Sequence, residues 1–397
     1  MHFLKVLMLW GLLSTPAIAS DLTFYNFNQA TTLKLNQHKD SELFGVNTKT
    51  NQEFLVNGEI LAHVDNHFNN QSLLDLDYVA AINTVFEAKS WKVILIRFNK
   101  PKQIIQNWQR LSELKTLKFL QPNLLPLSAL GFRHTPNTST PIKVTESTLK
   151  KVFSSANSNK GEGINVAIID DGFALKGGPL SHLKPIFSYD IETRQLNSEP
   201  KLKNDTHGTK IAQLFFNPKF GLLPQANLIA IRQVNSWTAD TLLALHLAHI
   251  AKADVINCAW NSAWLSQYTQ LALDYLSHSG RGGKGLAIVF AAGNQGGYIA
   301  ANSIEASINS AIVVGALNGQ QQIHRRSNYG PTVDVYVQQW HPIQTTPKPL
   351  SGTSLTSSLI TAVIAQKLSK QPNLTAKELS TSLIALGKIA HIPLKDD

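Results

Sequence analysis

The 397-residue sequence contains one cysteine, Cys258, so no disulfide can close within the chain. Folding must then rest on packing alone. Cys258 sits in the apolar run Val255-Ile256-Asn257-Cys258-Ala259 and reads as a core thiol rather than a reactive one. After the first 19 residues no apolar run is long enough to span a bilayer, so no stable membrane span is expected. Low-complexity tracts are absent, and the bulk of the chain should be globular. Acidic residues are fewer than basic ones, 26 against 36, for a net charge of +10. The excess is spread along the chain, and Arg325-Arg326 is the one tight basic pair in the larger C-terminal part. That distribution describes a basic surface and argues against a nucleic-acid site.

What is present begins with an export signal. Lys5 supplies a positive n-region, Val6 to Leu13 a short apolar core, and Ala17-Ile18-Ala19 a small-x-small cleavage signal before Ser20. Residues 1–19 are therefore expected to be a signal peptide, and the product to be exported, periplasmic or extracellular. Residues 20–54 are polar and weakly patterned and read as an extended leader. Residues 55–127 read as strand, helix, two hairpin strands, helix and strand. This βαββαβ order belongs to a small α+β ferredoxin-like domain. Residues 128–145 carry Gly131, Pro136 and Pro141 among Ser and Thr, as an exposed linker and candidate processing zone would.

From residue 146 to 397 apolar strand patterns alternate with helical ones. The expected fold class is α/β, a doubly wound and mostly parallel sheet with helices on both faces. Ligands on such sheets bind beyond the carboxyl ends of the strands. Asp170-Asp171-Gly172 ends one continuous apolar strand, and Ala291-Ala292-Gly293-Asn294 ends another. His207-Gly208-Thr209 opens a helix that Thr206 or Asp205 could cap. Ser351-Gly352-Thr353-Ser354 turns into an Ala-rich apolar helix, which places Ser354 where unpaired N–H groups favour developing negative charge. Each signal has an ordinary structural reading: a turn aspartate, a helix-starting histidine, an Asn-Gly turn, an N-cap serine. Their joint occurrence in the order Asp, His, Asn, Ser is what points to acyl transfer.

These stretches resemble the subtilisin-like serine peptidases (subtilases). The resemblance is carried by VAIIDDG at 166–172, HGTKIA at 207–212, VINCAW at 255–260, VFAAGN at 289–294, SNYG at 327–330 and SGTS at 351–354. DDG, CAW and GKGLAIVFAAGN lean to the kexin-like branch. The resemblance implies a subtilisin-like sheet and a serine endopeptidase with Ser354 as nucleophile, His207 as general base, Asp170 as its orienting partner, and Asn294 with the Ser354 N–H as oxyanion donors. Asp171 takes a structural role. Substrate walls would be Ala259, Trp260 and Asn261, with Ala291, Ala292 and Gly293 at the base. The unit at 55–127 resembles the family's inhibitory and chaperoning propeptide, so the implied partners are a polypeptide substrate and the chain's own propeptide. No cofactor is expected; calcium is common in the family, but no acidic cluster here resembles a site.

Two departures stand out. Pro is usual four positions after the serine, where this chain has Ser358, and the usual Ala-Pro-Gly is replaced by Val337-Gln338-Gln339. The acidic residue that kexin-like enzymes place after their Ser-Trp-Gly is missing, so a neutral, apolar side-chain pocket is expected. The alternative reading is a non-catalytic or self-processing-only binding protein on the same fold.

Overall fold

The computed structural model describes residues 20–37, 43–127, 142–154, 159–262, 264–299, 310–341 and 349–389. The expected signal peptide and most of the expected linker lie outside these residues. The chain opens with β1 (Ser20–Asn26), β2 (Gln29–Gln37), β3 (Leu43–Asn47) and β4 (Glu53–Asp65). The helix α1 (Gln71–Leu74), strands β5 (Val79–Glu87) and β6 (Trp91–Phe98), helix α2 (Ile104–Ser112) and strand β7 (Lys118–Pro126) follow. All pairings in this N-terminal sheet are antiparallel, in the order β1-β2-β3-β4-β6-β5, with β7 also paired to β4.

Two expectations for this region are corrected. Residues 20–54 are not a loose leader: they form β1, β2, β3 and the first turn of the ladder into β4. Their alternation explains it, because Leu22, Phe24, Leu33 and Leu35 point into one core while Asp21, Thr23 and Lys34 face outward. The first helix expected within 55–127 is a single turn, α1, because Val79 onward pairs with β6.

The second sheet is built from β8 (Ile142–Val144), β9 (Asn165–Asp170), β10 (Phe187–Asp190), β11 (Asn227–Arg232), β12 (Val255–Cys258), β13 (Ala287–Ala291), β14 (Ile312–Leu317), β15 (Val335–Gln338) and β16 (Lys388–Ile389). The order is β10-β11-β9-β12-β13-β14-β15-β8-β16, parallel throughout except for β16. Its connections include α3 (Glu146–Ser154), α4 (His207–Phe216), α5 (Thr238–Ile250), α6 (Gln267–Gly283), α7 (Gly352–Lys370) and α8 (Ala376–Leu386). This is the doubly wound α/β sheet the alternation of patterns predicts. Its first strand, β8, lies inside the stretch expected to be linker, so the unit starts by 142 rather than 146.

The side-chain period of two in β9 sets the layers. Val166 and Ile168 join Phe215, Leu355 and Leu359 on one face, where α4 and α7 pack. Ala167 and Ile169 join Leu242, Leu245, Tyr268 and Leu273 from α5 and α6 on the other. That second cluster continues into Leu61, Phe86, Val93 and Leu95 of the N-terminal sheet. Helices α5 and α6 are therefore sandwiched between two sheets, which is why α5 is apolar almost all round. Polar contacts fix the docking. Asn123 Oδ1 accepts from the Ala239 N–H at the start of α5 (3.0 Å), and the Thr238 hydroxyl donates to the Leu124 carbonyl (3.3 Å).

Candidate active site

The central strands β9, β12 and β13 are neighbours in the large sheet, and their carboxyl ends bring Asp170, Ala259 and the 291–294 turn to one edge. Asp170 is buried at the end of β9, and both its oxygens lie within reach of His207 Nδ1, at 2.8 and 3.0 Å. Its Oδ1 also accepts from the Asp171 N–H (2.9 Å). The neighbouring Asp171 does the helix capping expected of Thr206 or Asp205. Its two oxygens accept from the His207 and Gly208 N–H groups at 3.0 and 2.8 Å, at the positive end of α4. Thr206 makes no side-chain cap bond, and Asp205 is engaged with Arg232. Gly208 is obligatory for this approach, since a Cβ there would meet the Gly172 carbonyl at 2.7 Å and Asp170 Cβ at 2.9 Å.

His207 is half-buried at the first position of α4. Burial pulls its pKa down, but the charge and hydrogen bond of Asp170, with help from Asp171, outweigh it and hold the pKa above the ordinary value. Burial raises the Asp171 pKa, against the two helix N–H donors.

Ser354 lies at the start of α7, buried, with its hydroxyl donating to the Ala259 carbonyl (2.9 Å). The expected pairing of Ser354 with His207 is thus replaced in this conformation by a bond to the strand end beside β9. The preceding turn is tightly built. Gly352 adopts φ +67°, and a Cβ there would sit 2.4 Å from Asn294 Oδ1. Asn294 Oδ1 accepts from the Thr353 N–H (3.0 Å), which turns the carboxamide toward the start of α7. Gln339 Oε1 accepts from the Gly352 N–H (2.8 Å), and the Thr353 hydroxyl accepts from the Gly293 N–H (3.2 Å). Sequence reasoning treated Gln339 only as a departure; its role at the serine turn needs the fold, because it lies 13 residues upstream.

A cleft enclosing about 670 Å³, open mouth included, lies beside this turn. Trp260, Asn261, Ala291 and Ala292, named above as substrate walls and pocket base, line it. Ala259 and Gly293 instead border Ser354 and Thr353. Trp264, Leu265 and Ile299 are lining residues that no motif covered, and Phe290 of the 289–294 motif joins them. No charged side chain lines the cleft among the described residues. The Trp260 indole donates to the Ile169 carbonyl (2.9 Å) and meets Phe290 edge-on, which fixes one wall.

The described residues contain no group of three or more His, Cys, Asp or Glu side chains arranged for a metal ion. An acid-rich cluster, Asp190, Glu192 and Asp205, surrounds the buried guanidinium of Arg232 at 2.8–3.3 Å, with Lys201 alongside. These carboxylates are already neutralised by fixed cations and do not fit a calcium site. Cys258 is buried, and burial pushes its thiol pKa well up, as in a core residue. No described helix is long and apolar enough to cross a membrane.

A sequence profile described as "Subtilase family" matches residues 161–385. A calcium-dependent protease of Trichormus variabilis is 32% identical over 194 residues, covering 44% of this chain and 29% of that protein. Subtilisin DY of Bacillus licheniformis is 28% identical over 236 residues, covering 56% of this chain and 83% of that protein. A dibasic-processing endoprotease of Schizosaccharomyces pombe is 26% identical over 244 residues, covering 55% and 34%. The chain thus spans less than a third of the length of the calcium-dependent relative.

Proposed function

The chain belongs to the subtilase family, and we propose that it is an exported serine endopeptidase, made as a precursor whose N-terminal unit, read as ferredoxin-like, holds the enzyme inactive until it is cut and released. The observation that carries the catalytic reading is the Asp170–His207 pair at the sheet edge, 2.8 Å apart, beside the helix start that bears Ser354. In the reaction, His207 takes the Ser354 proton as Oγ attacks the scissile carbonyl, and later gives it to the leaving amine. Asp170 keeps Nδ1 protonated and stabilises the imidazolium. The substrate oxygen turns negative in the tetrahedral intermediate and is met by the Ser354 N–H and the Asn294 carboxamide nitrogen. The carboxamide oxygen is held by Thr353, which leaves the nitrogen end for that task. Ser354 must first turn its hydroxyl from the Ala259 carbonyl to His207.

The uncharged cleft favours an apolar side chain before the scissile bond, and the lack of a lining carboxylate argues against dibasic selectivity. Calcium dependence belongs to the names of two relatives, and no step here is assigned to a metal. For self-processing, β7 leads through Leu127 toward residues 128–141, and β8 is already a strand of the large sheet. A cut between them separates the two units without removing a strand from either. Attack within one chain is helped by high effective concentration.

The Ser354–Ala259 bond favours the second reading, a non-catalytic or self-processing-only binding protein on the same fold. One experiment separates them. Purified chain and its Ser354→Ala variant are treated with a fluorophosphonate reporter and with casein. The peptidase labels at Ser354 and degrades casein; the variant does neither. Absence of both from the unsubstituted chain, after the N-terminal unit has been removed, sinks the peptidase. Labelling without casein hydrolysis leaves the self-processing form.

A further inference from the structure

The N-terminal unit touches the large unit at a second place, away from α5, and that place is a wall of the cleft. The β1–β2 turn carries two successive left-handed residues, Phe27 (φ +51°) and Asn28 (φ +60°). A turn of that hand matches strand twist and projects the tip of the hairpin cleanly. Just before it, Asn26 is 4% exposed and bonds across the interface with both ends of its carboxamide. Nδ2 donates to the Leu265 carbonyl (3.3 Å), and Oδ1 accepts from the Gln267 N–H (2.7 Å) at the start of α6. Gln267 Oε1 in turn accepts from the Phe27 N–H (3.0 Å). Gln121 of β7 donates to Asn26 Oδ1 and to the Tyr25 carbonyl, tying the turn to the rest of the unit.

Trp264 goes further. It belongs to the large unit and lines the cleft, yet its ring is buried in the core of the N-terminal unit. Its centroid lies 5.0 Å from Phe54 and 6.4 Å from Phe24, both edge-on. Such edge-on aromatic pairs attract beyond what area burial alone supplies. The buried Trp264 indole N–H has no hydrogen-bond partner among the described residues. An unpaired buried donor is costly, so release of the ring to water is favoured on that count. The wall at 264–267 is therefore held by a grip that aromatic packing and Asn26 keep closed and that an unpaired N–H opposes.

We propose that residues 20–37 form a clasp by which the N-terminal unit grips the 264–267 wall of the cleft, so that cleft shape and unit docking are one coupled equilibrium. This rests on the reading of that unit as a releasable inhibitor, and adds a docking site independent of anything lying over Ser354. By linkage, loosening the clasp loosens the wall, and filling the cleft tightens the clasp.

The test uses the full chain in two forms. In the Ser354→Ala background, where nothing is cut, amide exchange is followed by mass spectrometry for Asn26→Ala, for Trp264→Leu and for the control Thr23→Ala, whose hydroxyl meets only Thr32 on the exposed side of the hairpin. Both clasp variants should raise exchange at 259–262 and 264–269 about tenfold and leave α7 unchanged, while Thr23→Ala does nothing. With Ser354 intact, Asn26→Ala should shorten the lag between chain cleavage and full casein activity by a similar factor. Unchanged exchange at 259–262 in both clasp variants overturns the proposal, as does an unchanged lag in a chain that is cut. A chain that is never cut sinks the self-processing reading instead, and the exchange result still decides the clasp.

Discussion

Replacing Asp170 by Asn isolates the electrostatic part of the site, because the side chain keeps its shape and loses its charge. The carboxylate oxygens lie 2.8 and 3.0 Å from His207 Nδ1. Charge centres about 4 Å apart interact by roughly 1–4 kcal/mol as the effective dielectric runs from about 80 to 20. The His207 side chain is 37% exposed, so solvent screening places the interaction near the lower end of that range. In the unsubstituted chain, burial is outweighed and the pKa stands above the ordinary value, so the acid limb of activity should lie above pH ~6.5. In Asp170→Asn burial dominates and the limb should fall below it. The rate should also drop, by about 10⁴ if the loss of tautomer control matches that of other Ser-His-Asp enzymes. The assay is the fluorophosphonate labelling rate from pH 4 to 9, after release of the N-terminal unit. A limb that does not move, or a variant within tenfold of the original rate, refutes Asp170 as the partner of His207. Stability carries the same sign. A raised folded pKa stabilises fully below the unfolded value near 6.5 and ceases to as pH rises through the folded value, so Asp170→Asn should narrow its stability deficit above neutrality.

Asn294→Ala should lower kcat about 10²–10³-fold with KM little changed; that size is carried over from the corresponding donor in subtilisin, and an equal loss in substrate affinity would speak against an oxyanion role. Gly352→Ala forces a Cβ to within 2.4 Å of Asn294 Oδ1 at φ +67°, so labelling should fall with the fold intact by circular dichroism; full labelling would show that the serine turn is not held as described. Arg232→Met leaves Asp205 buried without its cation and Asp190 with Lys201 alone, and should cost about 3–5 kcal/mol in urea unfolding. At Asp190 and Asp205 burial opposes the shift, but their hydrogen bonds and the charge of Arg232 outweigh it; at Glu192 the hydrogen bonds to Arg232 and Lys201 lead. All three pKa values sit below the usual carboxylate range. The stability they confer is present above about pH 4 and lost as pH falls through the lowered values, so the variant should show a flatter acid limb.

The large unit was legible because its strands are buried on both faces. Runs such as Val166 to Ile169 and Ile288 to Phe290 carry no polar residue, and helices separate them at regular spacing. The short strands β8 and β10 were not legible, since three or four residues with mixed burial give no period. Residues 20–54 were misread for a different reason. Half of each strand faces water and is built of Thr, Lys and Asn, so apolar content is low, and the Asn26-Phe27-Asn28-Gln29 turn lacks the glycine that usually marks a hairpin. Motifs placed Asp170, His207, Asn294 and Ser354 at one sheet edge. They could not place Trp264, whose partners Phe24 and Phe54 lie more than 200 residues away.

The two departures from the family pattern meet at the start of α7. Position 358 lies in the second turn, beyond the four unpaired N–H donors, so a proline there would not be replacing a spare donor. Ser358 uses the position differently. Its hydroxyl donates to the Ser354 carbonyl (2.8 Å) and accepts from Asn257 Nδ2 (3.4 Å), and Asn257 Oδ1 accepts from the Thr361 hydroxyl (2.9 Å). The second and third turns of α7 are thereby tied to β12, the strand whose end carries Ala259. Gln339, in the replaced Val337-Gln338-Gln339 segment, holds the Gly352 N–H from the side of β15. Both substitutions therefore put hydrogen bonds around Ser354, fully buried at Ser358 and half-buried at Gln339, where every added partner narrows the positions its backbone can take. A chain that had abandoned catalysis would have no cause to keep the serine turn so closely fixed, and this weighs toward the peptidase over the binding protein.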